Sequence, residues 1–101
     1  MPDDWPFDQP ESTATITLRS IVFGGAPILH VTHDEDDDGW QFLGWGDAKE
    51  DDACVVGLRQ IVKLDPSVLE VADLPSGWHA WRTSPDTPWQ RAPHAVKEDG
   101  R

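Results

Sequence analysis

The sequence predicts an α+β fold. A mostly antiparallel sheet of four to five strands packs on one or two short helices, between flexible N- and C-terminal arms. Three observations predict it. Alternating apolar and polar residues, enriched in Thr, Ile, Val and Trp, recur before residue 57 and again near residue 80. Apolar residues at helical spacing are confined to residues 58–72. Strands, then short helices, then a closing strand pack as sheet on helix.

Each element has its own signal. Residues 1–12 hold three prolines and four acids, which disfavour regular structure, so they read as a flexible acidic arm. Trp5 and Phe7 are the groups there able to anchor it, and their spacing suits an extended segment. Thr13 to Arg19 reads as a half-buried strand, with Ile16 and Leu18 on one face and Thr15 and Thr17 on the other. Ser20 to Phe23 is ambiguous between strand and turn, and Gly24-Gly25 ends it. Ile28 to Thr32 is a second strand, placing His30 and His33 on opposite faces if both lie within it.

The acidic run Asp34–Asp38, closed by Gly39, is a hairpin tip. Trp40 to Trp45 is the third strand, and Asp47 to Asp52 a second acidic loop. Ala53 to Val56 is read as a brief buried strand or an entry into the next element. Leu58, Ile61 and Val62 recur at i, i+3, i+4, so Leu58–Lys63 is a short helix. Asp65-Pro66 starts another, with Asp as cap and Pro at the first position, and Pro75 and Gly77 stop it. Trp78 to Arg82 is the closing strand, with His79 and Trp81 sharing a face. The domain is assigned to residues 13–90. From Thr83 the chain is Pro-rich and aperiodic, with Trp89 able to dock, and 91–101 read as a disordered tail.

The net charge is −11, and residues 1–52 carry all of it with 13 acids against Arg19 and Lys49. Binding to nucleic acid or to an anionic membrane surface needs basic side chains, so both are excluded as direct partners. A basic protein or a cation is compatible with this field. A single cysteine leaves no intramolecular disulfide and no multi-cysteine zinc site. The first residues lack a basic and an apolar segment, so no secretory signal is read, and no apolar run spans a bilayer. A cytoplasmic protein is the expectation.

The order of features from Ile28 to Arg82 resembles a family of small uncharacterised bacterial proteins, part of which is classed as toxin-immunity proteins. The matching positions are Gly39-Trp40, Phe42, Asp65-Pro66, Leu74 and Gly77, within an acidic-loop, Gly-Trp-x-Phe strand pattern. The resemblance implies a small non-enzymatic binding protein, and it nominates no catalytic residue.

Two sites follow. The first is a partner-binding set for a basic protein such as a toxin: Asp34, Glu35, Asp36, Asp37, Asp38, Asp47, Glu50, Asp51 and Asp52, with Trp45 between the loops. The second, an alternative, is a calcium site on Asp34, Asp36 and Asp38, whose alternating oxygens before Gly39 match the first half of a calcium loop. The second half fails, because Trp45 stands where the twelfth-position Glu belongs. No cofactor is implied. Six tryptophans without a tyrosine are read mostly as core or tail-docking mass, with Trp40 and Trp81 assigned to the core.

Overall fold

The Thr/Ile alternation forms a strand, but its buried side is the threonine side. The computed structural model describes residues 5–36, 39–44 and 50–93. In β1 (Ala14–Leu18) Thr15 and Thr17 are buried while Ile16 is 38% exposed. The hydroxyls make this possible. Thr15 Oγ1 donates to the Val56 carbonyl at 2.9 Å and Thr17 Oγ1 to the Phe42 carbonyl at 2.7 Å. A buried threonine whose hydroxyl finds a carbonyl avoids the cost of an unmade hydrogen bond.

The ambiguous segment after it is helical. One turn, α1 (Arg19–Val22), inserts Ile21 into the core and leaves Phe23 exposed. Gly24 ends it of necessity, since a Cβ there would lie 2.7 Å from the Ser20 carbonyl oxygen. Then come β2 (His30–His33) and β3 (Trp40–Leu43), a hairpin whose tip is the acidic run. A 3-10 turn at Glu50–Asp52 leads into β4 (Ala53–Gly57), and α2 (Leu58–Leu64) follows at once. Leu58 and Ile61, the residues that predicted this helix, are fully buried. Asp65 caps the next element as expected, accepting from the Ser67 amide at 3.1 Å, but Pro66–Val71 is a 3-10 helix. Val68, Val71 and Ala72 are its buried side.

The sheet has six strands in the order β4-β1-β3-β2-β5-β6, where β5 is Trp78–Trp81 and β6 is Gln90–Pro93. Four neighbouring pairs are antiparallel and β1 runs parallel to β3, so the sheet is mixed. This exceeds the four to five strands read from sequence. The extra strand is β6, from a stretch with no apolar alternation. Three contacts hold it. Its backbone pairs with β5, Arg91 donates to Asp73 at 2.7 Å and to the Glu70 carbonyl at 2.8 Å, and Trp89 packs on the buried Arg82. Pro93 sits at the end of this strand, where a missing amide is tolerated.

The helices send their buried residues to one face of the sheet. There Ile21, Leu58, Ile61, Val68 and Val71 meet Val31, Trp40, Phe42 and Ala80. Phe7 from the N-terminal segment joins this core, with its ring 5.1 Å from that of Trp40, and Trp5 packs beside it. Trp78 and Trp89 also pack against the core. Trp81 does not. It is one residue from the buried Ala80, so the pleat turns it to the opposite face with His79. Its assignment to the core is corrected accordingly. No described helix is long and apolar enough to cross a membrane.

Candidate functional site

Strand register defines a second face with no described helix on it. Cross-strand partners point to the same side of a sheet. Val55 pairs with Ile16, Ile16 with Gln41, Gln41 with Thr32 and Thr32 with His79, giving one row across five strands. A second row runs through Leu43, His30 and Trp81. Val55 is 63% exposed and Ile16 38% exposed, which marks an apolar patch at the β4-β1 side. At the β2-β5 side the face turns polar and aromatic. His30 Nε2 and His79 Nδ1 stand 3.0 Å apart and share a hydrogen bond. The His79 ring lies 4.9 Å from that of Trp81.

The acidic loops stand at the two ends of this face. Asp34, Glu35 and Asp36 follow β2, while Asp51 and Asp52 precede β4 beyond the other end of β3. A four-residue strand spans roughly 13 Å, so the loops bracket the face without meeting. Glu35 and Asp36 are exposed, and so is Asp51. Asp52 accepts from Ser20 Oγ at 3.0 Å. Glu50 has its backbone in the 3-10 turn. Asp37, Asp38, Trp45 and Asp47 lie outside the described residues.

Two further carboxylates stand at the hairpin end, one of them paired with a cation. A cleft of about 360 Å³ there is walled by Trp40 and His33, and Asp8 and Asp73 line it. The two walls are stacked, with ring centroids 4.1 Å apart and planes at 14°. His33 is buried and its Nδ1 donates to the Leu74 carbonyl at 2.7 Å. Arg91, hydrogen-bonded to Asp73, holds that carboxyl below the usual carboxylate range. A depressed folded-state value means the pair supports the fold above the unfolded value and loses that support as pH falls through the folded one. Asp73 is 80% exposed, so solvent screens most of the effect.

The alternative cation site has a local use for one of its residues. Asp34 Oδ1 accepts from the Asp36 amide at 2.8 Å, closing the turn. Asp38, its third member, lies outside the described residues. Among the described residues, no three His, Cys, Asp or Glu side chains converge as a metal-holding group. Cys54 is half-buried opposite Thr17. Sequence reading placed His30 and His33 on opposite faces, and they are so placed. It missed the pairing of His30 with His79, because the two are 49 residues apart and only the β2-β5 register joins them.

Comparison with known proteins returned no matching family model, no matching curated protein and no matching solved structure.

Proposed function

We propose that the chain is a non-enzymatic, cytoplasmic binding domain of the immunity type, which takes a basic protein partner across the open face of its sheet. One observation carries this reading: an apolar, aromatic face lies between two acidic loops. Exposed apolar groups supply contact area, and flanking like charges steer and orient a partner of opposite sign. The overall charge of −11 adds long-range attraction for such a partner. The resemblance of residues 28–82 to small immunity-type proteins points the same way.

Affinity capture tests it. Tagged protein in an extract of its source cell at low salt retains a basic protein, identified by mass spectrometry. That partner is released in salt on the order of 1 M, where the screening length falls to about 3 Å. The variant D34N/E35Q/D36N/D51N/D52N retains far less of it. If no basic protein is retained, or neutralising the five acids changes nothing, the reading fails.

A further inference from the structure

We propose that His30 and His79 form a two-imidazole site for a divalent transition-metal ion, copper(II) foremost, on the open face of the sheet. It rests on different observations from the protein-binding reading, though on the same face.

Distance comes first. Two nitrogens bound to one ion at about 2.0–2.1 Å lie roughly 2.9–3.4 Å apart for ligand angles between square and tetrahedral. His30 Nε2 and His79 Nδ1 are 3.0 Å apart, within that window. The backbone fixes this spacing. His30 pairs with Trp81 and Thr32 with His79, so the imidazoles lie on a diagonal of one antiparallel ladder. Strands β3 and β6 flank that ladder on both sides. The rings stand at 75° to each other and are half-buried. An ion binds there once the shared hydrogen bond opens and both rings turn their lone pairs toward it. The ring that donated the shared hydrogen bond moves its proton to its other nitrogen, and both rings bind neutral.

Chemistry selects the ion. Imidazole suits copper, nickel and zinc, with copper(II) favoured by the general affinity order. Calcium and magnesium want oxygen ligands and are poor occupants. No third His, Cys, Asp or Glu joins the pair among the described residues, so water or a group from a second molecule completes the coordination. Trp81 is a built-in reporter, its ring 4.9 Å from that of His79, where bound copper(II) quenches indole emission.

The test is a titration of the full chain with copper(II), nickel(II), zinc(II) and magnesium(II), followed by equilibrium dialysis and tryptophan fluorescence. One equivalent of copper binds with quenching, nickel and zinc bind more weakly, and magnesium does not bind. Loss of a group that merely orients a ligand costs roughly 10–100-fold in affinity. H30N and H79N, each losing a ligand, weaken binding by at least that much. W81F keeps the stoichiometry but loses most of the quenching. Chain-wide circular dichroism confirms that each variant is folded. Broadening of the His30 and His79 ring signals by copper in the unmodified protein gives a readout that needs no variant. The proposal is overturned if both single variants bind copper as the parent does, or if those ring signals stay sharp.

Discussion

Replacing Arg82 with methionine lowers the free energy of unfolding by about 3 kcal/mol, the lower part of the range for breaking a buried ion pair. Arg82 is 3% exposed, and its guanidinium ties the Ile28 carbonyl to the Asp65–Ser67 turn. Nη2 donates to Asp65 at 2.8 Å, Nε and Nη2 to the Ile28 carbonyl at 3.1 and 2.9 Å, and Nη1 to Ser67 Oγ at 3.0 Å. Trp89 covers it, with the guanidinium carbon 4.1 Å from the ring centroid. Methionine keeps much of the volume but leaves a carboxylate and a buried carbonyl without these donors. Asp65 is 24% exposed and rehydrates in part, which sets the loss at the lower end. Asp65→Ala costs as much or more, because it strands a buried cation and also uncaps the 3-10 helix. The double variant loses less than the sum, since the two residues act as one unit. Urea unfolding measures all three. Tryptophan emission of R82M shifts to longer wavelength as Trp89 loses its seat.

Trp40→Ala is the other large effect, about 3–5 kcal/mol, the range for truncating a buried aromatic. Trp40 is 1% exposed. Its ring stacks on His33, lies 6.0 Å from Phe42 and meets Phe7 edge-on at 5.1 Å. Its Nε1 donates to Gln9 Oε1 at 2.9 Å, which ties residues 5–9 to the sheet. The variant therefore loses core volume and the seat of the N-terminal segment together. Limited proteolysis of W40A cuts first between residues 5 and 13. Trp40→Phe retains most of the stacking and costs less than half as much. Against a typical total of roughly 5–15 kcal/mol, R82M and W40A each remove a large share of the stability.

Local signals carried most of the fold. Leu58 and Ile61 announced α2, Asp65-Pro66 announced the cap, and Trp40 and Phe42 announced the buried side of β3. The failures share one cause, that tertiary context overrode local pattern. The alternation at Thr15–Leu18 leaves open which face is buried, and the carbonyls of Val56 and Phe42 that receive Thr15 and Thr17 decide it. Trp81 reads as core mass until Ala80 takes the inward position of β5. Gln90–Pro93 carries no strand pattern because an edge strand held by backbone pairing and Arg91 needs none. The acidic residues were legible as candidates, and so was their separation to opposite ends of one strand, since they flank the Trp40 strand in sequence. The His30–His79 pair required the register of strands distant in sequence.

That open face is also where the charge imbalance acquires a geometry: acids stand at both ends, and Ile16 and Val55 lie between them on the face that no described helix covers. The double substitution Ile16→Lys and Val55→Lys tests the central claim most directly. Both side chains already meet solvent, so thermal unfolding stays close to that of the parent, as is usual for surface substitutions. Capture of the proposed basic partner is abolished, because apolar contact is lost and two like charges meet it. A folded double variant that captures the partner as well as the parent does would contradict the account.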